Sequence, residues 1–220
     1  KGAAAAFDTQ RWADLSRPGP PPEAGELITL GFDGARHHDA TALIGTHIAT
    51  GRQFDVGIWE LDPDDPVAEV DVDDVEATLA QAFGTYNVWR MYPDPYWWED
   101  HVAAWQGRWG EKTVVPWWTN RRKQMAFALR AYRTAMDTGE LTHDGSDVFA
   151  RHIGNARRAE IQVKDDDGKR MWVIRKEHGE SPKKIDAAMA GCLSWEARRD
   201  ALAAGVLNAP EKPDRTLQLH

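Results

Sequence analysis

Three apolar, β-branched runs crowd into residues 27–59: LITLGF (27–32), TALIGTHI (41–48) and RQFDVGIW (52–59), separated by short polar joins. A crossover between parallel strands takes a dozen or more residues and usually a helix. These joins have no room for one, so the runs read as an antiparallel meander with ATGR (49–52) as a hairpin turn. Such a sheet needs covering layers. The rest of the chain supplies them.

A helix is expected over about 67–83, with Val67, Val70, Val75, Leu79 and Ala82 on its apolar side. A strand follows over 86–94, then a helix over 95–110 opened by Pro95 and stopped by Gly110. KTVVPWW (112–118) reads as a short strand, and 120–139 as a helix with Asn120 as N-cap and Gly139 as its stop. A further helix spans about 146–156. EIQVK (160–164) and KRMWVIRK (169–176), joined by DDDG, form a hairpin by the Asp-Gly signal. Ser181 and Pro182 open a last helix that runs to about Ala204. The fold class is α/β: a mixed central sheet with three leading antiparallel strands, flanked by helices, plus a β-hairpin before the C-terminal helix.

At 220 residues the chain suits one domain, placed at 27–205. Residues 1–26 are expected to be a linker or N-terminal extension, because SRPGPPPEAGE (16–26) breaks both helix and strand. Residues 206–220 read as a tail. A start at Lys1 rather than Met points to a fragment or processed chain, with an upstream domain expected. The single cysteine, Cys192, excludes an internal disulfide and a Cys-based zinc site, in keeping with a reducing, cytosolic setting. No apolar run approaches membrane length and no signal peptide opens the chain, so a soluble protein without a membrane partner is expected.

A net charge of −8 argues against general nucleic-acid binding. Its distribution tempers that. Acidic residues crowd 60–77, while basic ones gather in 120–133, 151–158 and 183–185, so one face can be basic on an acidic molecule.

Three aspartates stand at element ends: Asp33 after the first strand, Asp94 after the fourth between two prolines, and Asp186 in the first turns of the last helix. If the first and fourth strands are neighbours, Asp33 and Asp94 meet, and the last helix brings Asp186 to the same edge. Ala187, Ala190, Gly191 and Ser194 give that helix a small-residue flank for close packing on the sheet. Converging carboxylates repel, and a divalent cation relieves them; all-oxygen ligands suit Mg²⁺ or Mn²⁺. Two such ions, about 3.5–4 Å apart, activate water and stabilise the leaving oxygen of a phosphodiester.

GFDGARHHDATALIG, MYPDPYWWED and KKIDAAMAGCLSWEA, with KQMAFAL and LTHDGSDVFARHIGNARR between them, resemble the nuclease domain of the large terminase subunit of tailed double-stranded DNA bacteriophages, a ribonuclease H-like fold. The likeness spans about residues 27–200. It implies a metal-dependent endonuclease that cuts concatemeric viral DNA and leaves a 3′-hydroxyl, with Asp33, Asp94 and Asp186 holding two Mg²⁺ or Mn²⁺ ions. The implied partners are double-stranded DNA, an N-terminal ATPase domain, the small terminase subunit and the portal, at the procapsid in the host cytoplasm. No GxxxxGK[ST] phosphate loop occurs in this sequence, so the ATPase is expected outside it.

Each residue also has a plainer role. Asp33 suits a turn or cap, and Asp94 suits Pro-Asp-Pro turn chemistry, with Glu99 as an alternative ligand. Asp39 reads as loop or as support for the site, and His178 as a residue near the scissile phosphate. Arg121, Arg122 and Lys123 at a helix start, Lys169 and Arg170 on the hairpin, and Lys183 and Lys184 beside Asp186 are candidate DNA contacts or simply solvated charge. Most of the eleven tryptophans, those of YWW and PWW included, fall at core-like spacings. The alternatives to a terminase nuclease are a junction resolvase or integrase-type enzyme of the same fold, or a non-catalytic module docking DNA or a portal.

Overall fold

The computed structural model describes residues 2–208. The meander is present as β1 (Leu27–Asp33), β2 (Thr41–His47) and β3 (Arg52–Trp59), each antiparallel to the next. After α2 (Val72–Thr85), β4 (Asn87–Pro93) returns parallel to β1, with Phe32 opposite Pro93. The sheet has five strands in the order β4-β1-β2-β3-β5, where β5 (Thr142–His143) is a two-residue strand parallel to β3 that the sequence pattern does not announce.

The expected strand at 112–118 is reduced to a bridge between Met91 and Val114. Hydrogen bonds from Val115 to the Met91 carbonyl (3.0 Å) and from Trp117 to the Pro93 carbonyl (2.8 Å) still carry it along the outer edge of β4. Pro116 has no N–H to continue a ladder.

Side chains alternate across β1. Ile28, Leu30 and Phe32 pack with Val75, Leu79, Val102 and Trp105 of α2 and α3 (Glu99–Trp109) on one face of the sheet. The other face receives α4 (Arg122–Thr138), α5 (Asp147–Asn155) and α6 (Asp186–Ala203). There the small flank of α6 lets its backbone reach the sheet. Thr29 Oγ1 donates to the Ser194 carbonyl at 2.8 Å, and a Cβ on Gly31 would lie 2.0 Å from the Ala190 oxygen. The hairpin, β6 (Arg157–Lys164) and β7 (Arg170–Arg175), forms a separate two-stranded sheet turned at Gly168 (φ 77°).

Several boundaries differ from expectation for local reasons. α2 begins at Val72 rather than 67, because Asp62 and Asp65 accept the amides of Asp64 and Val67 in turns, while Asp71 caps the helix by accepting the amide of Asp74. α3 starts at Glu99, after a turn closed by Trp98 N–H to the Pro95 carbonyl. α4 is capped by Arg121 without a side-chain bond, not by Asn120, and ends at Gly139 in the left-handed conformation. β6 begins at Arg157, earlier than the expected 160.

α6 starts at Asp186 with Ile185 as its cap. Ser181 instead accepts the amide of Lys183, which keeps 181–185 out of the helix. The N-terminal extension is more than a linker: α1 (Thr9–Asp14) buries Trp12, and Phe7, Trp12 and Leu15 join the α6-side core. Residues 209–220, most of the expected tail, lie outside the described residues, and among the described residues no helix is long and apolar enough to cross a membrane.

Candidate metal centre and active site

β1 and α6 bring the first and third aspartates together by register. Thr29 lies against Ser194 and Gly31 against Ala190. Two residues along a strand and four along a helix advance by nearly the same distance, roughly 6–6.6 Å. The next pair in this series is Asp33 and Asp186. Asp94 follows β4 and joins from the adjacent strand, its amide donating to the Phe32 carbonyl at 2.9 Å.

Electrostatics record the convergence. Burial of the Asp33 carboxyl, then the charges of Asp186, Asp94 and Asp39, hold it well above the ordinary carboxylate range. Burial and the neighbouring Asp39 push Asp186 up to about 7, against the opposing pull of the Ala40 amide and Lys176. Burial also raises Asp94, opposed by its hydrogen bonds from the Thr119 hydroxyl and the Tyr96 amide. These three groups resist ionisation first because they are buried and then because other carboxylates lie close to them.

Asp39 stands beside them, tied to two lysines. Its Oδ1 accepts from Lys176 at 2.9 Å and from Lys184 at 3.3 Å. His38, left-handed at φ 64°, turns its carbonyl onto the same Lys184 ammonium. Asp39 therefore belongs to a charged framework beside the aspartates rather than to a free loop. Lys184 is 7% exposed, with its ammonium turned onto Asp39 and the His38 carbonyl.

Among the described residues, no three acidic, histidine or cysteine side chains are already arranged to hold a metal ion. Two of the three carboxylates lean on local donors: Asp94 on Thr119 and the Tyr96 amide (3.2 Å), Asp186 on the Ala40 amide (3.3 Å). The donor set nonetheless fits a hard divalent cation. It offers carboxylate oxygens only, it carries excess negative charge, and Asp186 opens α6, where the helix dipole favours an anion.

The remaining sequence-predicted residues divide. Glu99 is exposed at the start of α3, near enough to Asp94 to raise it. His178 is exposed on the loop after β7. Arg122 lines a groove of about 560 Å³ with Asp94, Tyr96, Thr119, Glu160 and Arg175, while Arg121 and Lys123 are exposed beside it. Lys169 and Arg170 sit toward the hairpin turn in another depression with Arg130 and Arg158. Lys183 is exposed and paired with Glu177 at 3.0 Å.

Sequence reasoning missed Thr119, Lys176 and His152. Buried His152 accepts the Ala187 amide at Nδ1 (3.0 Å) and meets Glu60 through Nε2 (2.7 Å), holding the start of α6 from α5. The only prior signal for it was a histidine on the core side of an amphipathic helix.

Two mycobacteriophage proteins, the gene 13 proteins of phages L5 and D29, are each 34% identical to this chain over 191 residues, 83% of it. The chain spans 31% of the length of either. The crystal structure of the large terminase nuclease from thermophilic phage G20c superposes with a TM-score of 0.62 at 12% identity, covering 87% of this chain and 97% of that one. This chain has the fold of a large terminase nuclease. A magnesium-bound structure of the G20c nuclease matches with a TM-score of 0.59 at 14% identity, covering 87% of this chain and 96% of that one. The HK97 bacteriophage large terminase gives 0.64 at 19% identity, covering 89% of this chain but 44% of that one. The shared architecture thus corresponds to part of the HK97 protein and nearly all of the G20c domain. No family model matches the chain.

Proposed function

We propose that this domain is a metal-dependent DNA endonuclease, the nuclease part of a viral genome-packaging terminase, which cuts concatemeric double-stranded DNA with two Mg²⁺ or Mn²⁺ ions. The observation that carries the reading is the meeting of Asp33, Asp94 and Asp186 at one sheet edge, in the fold of the terminase nucleases and beside a groove to which Arg122 and Arg175 contribute.

Bound among these carboxylates, divalent cations supply Lewis-acid stabilisation of the phosphoryl and leaving oxygens and acidify water. The chain's own residues do the rest. Asp33 and Asp186, raised first by burial and then by the neighbouring carboxylates, would hold the cations in their ionised form. Thr119 and the Tyr96 amide orient Asp94. Lys176 and Lys184 pair with Asp39 and offset part of the negative charge it adds beside the three aspartates. Arg122 and Arg175 line the groove from α4 and β7 and hold the strand by its phosphates. Hydrolysis joins a water oxygen to phosphorus and breaks the P–O3′ bond; the departing oxygen takes a proton, giving a 3′-hydroxyl and a 5′-phosphate.

The ATPase motor, small subunit and portal are the partners proposed for the longer protein, acting at the procapsid in the host cytoplasm. Plasmid cleavage by this chain with Mn²⁺, Mg²⁺ or EDTA, beside Asp186→Ala, tests the reading. Metal-dependent nicking lost in the variant supports it. Cutting that survives both EDTA and the substitution overturns it, and so does a domain that binds DNA but never cuts it.

A further inference from the structure

The segment after Asp94 places two aromatic rings in water. Tyr96 is 55% and Trp97 59% exposed, whereas Trp98 is fully buried. The core-like spacing of YWW thus holds for Trp98 alone. Trp97 has a φ of 66°, a left-handed conformation that bulky residues rarely adopt. It is held there from both sides. Trp98, anchored against Phe32, closes the turn onto the Pro95 carbonyl at 2.8 Å, and the Tyr96 amide donates to Asp94 Oδ1 at 3.2 Å. A strained backbone that ends with its ring in solvent gains no packing from the strain, and strain of this kind collects at ligand clamps.

The surroundings select the ligand. Tyr96 shares the groove with Asp94, Arg122 and Arg175, and its ring lies 4.9 Å from that of Trp97 at 56°. Glu99 and Asp100 are exposed just beyond, so this rim repels phosphate and suits an uncharged, flat face. A strand with a phosphate at Asp94 and its backbone along Arg122 brings the neighbouring base to the aromatic pair. In intact duplex both faces of that base are already stacked. We propose that Tyr96 and Trp97 form a stacking platform for an unpaired nucleobase beside the scissile phosphate, so that the site favours single-stranded, frayed or nicked DNA over intact duplex. This rests on the nuclease reading for the position of the phosphate.

Binding is measured with the 220-residue chain in EDTA, where no metal-dependent cutting intervenes, using an oligonucleotide carrying 2-aminopurine, single-stranded and as duplex. Tighter single-strand binding with quenched 2-aminopurine is expected. Trp97→Ala and Tyr96→Ala should each weaken it roughly 5- to 100-fold, the range for one base–aromatic stack, while Trp97→Phe retains most of it. Trp97→Gly separates function from folding: it relieves the φ strain, so it should melt at the same or a higher temperature yet bind as weakly as the alanine variant. Equal affinity for single strand and duplex, or a Trp97→Ala variant within twofold of wild type, overturns the platform. Cleavage with Mn²⁺ is scored separately. Wild type that stacks the base but never cuts supports the aromatic stack and its single-strand preference while defeating the nuclease reading and the scissile position drawn from it; wild type that cuts while both alanine variants bind normally defeats only the platform.

Discussion

Gly31 of β1 and Ala190 of α6 meet backbone to backbone: a Cβ at position 31 would stand 2.0 Å from the Ala190 oxygen and 2.4 Å from the Ser194 nitrogen. Neither is a flexible side chain, so Gly31→Ala must lift the helix off the strand. Urea unfolding should show a loss of about 3 kcal/mol, the upper end for overpacking. Mn²⁺ binding should weaken too, since Asp33 and Asp186 continue the same strand–helix register. Gly84→Ala is the control. Nothing lies within 4 Å of that added methyl in α2, and a gain of roughly 0.5–1 kcal/mol is expected.

The metal-free domain should lose stability as pH rises from 6 to 8. Asp186 titrates near 7 in the folded state against an ordinary 3.8. The folded protein therefore keeps a proton that the unfolded chain has released, and the penalty grows as pH climbs toward 7 and is complete above it. About 1 kcal/mol is at stake across this window. Asp186→Asn should flatten the slope. Added Mn²⁺ should raise the melting temperature more at pH 8 than at pH 6, because loading expels the proton.

His152 carries the opposite sign. Burial holds it below its usual 6.5, so the unfolded chain takes up a proton that the folded protein refuses, and stability drains away as pH falls below about 6.5. Ile185 offers α6 no side-chain cap, whereas His152 Nδ1 accepts the Ala187 amide and Nε2–H donates to Glu60. His152→Leu should cost about 1–3 kcal/mol, the range for a lost cap that also strands a partner. Thermal melts at pH 7.5 measure the cost, and ¹⁵N chemical shifts of the ring should show the Nε2–H tautomer in wild type.

Much of this site is legible in the sequence because strands have a period of two and helices of nearly four. The runs from 27 to 59 place Asp33 on the Gly31 side of β1, and the small flank of α6 betrays its close approach to the sheet. Long-range effects are harder to read. The tie from Lys176 to Asp39 crosses 137 positions, and nothing local marks Lys176 as different from the other hairpin cations. Val67 looks like the first apolar residue of a helix but is 80% exposed, since turn aspartates outcompete helix propensity there. Phe7 and Trp12 precede a Pro-rich stretch that reads as a boundary, although the core closes over them through α4 and α5.

Adjacent lysines should separate framework from DNA contact. Lys184 is buried against Asp39, while Lys183 is exposed and pairs with Glu177 at 3.0 Å. Removing one partner of a fully buried pair costs about 3–5 kcal/mol. Asp39 keeps Lys176 and its side chain is 32% exposed, so Lys184→Gln should cost less, about 1–2 kcal/mol. Lys183→Gln should stay within about 0.5 kcal/mol, as exposed charges do. The salt dependence of DNA binding then assigns the contacts. Arg122→Gln in the groove should lower the slope of log K against log salt by about 0.7–0.9, whereas Lys184→Gln should leave the slope in place and weaken Mn²⁺ binding through the loosened Asp39. A changed salt slope with unchanged stability for Lys184→Gln would return that lysine to the DNA-facing surface.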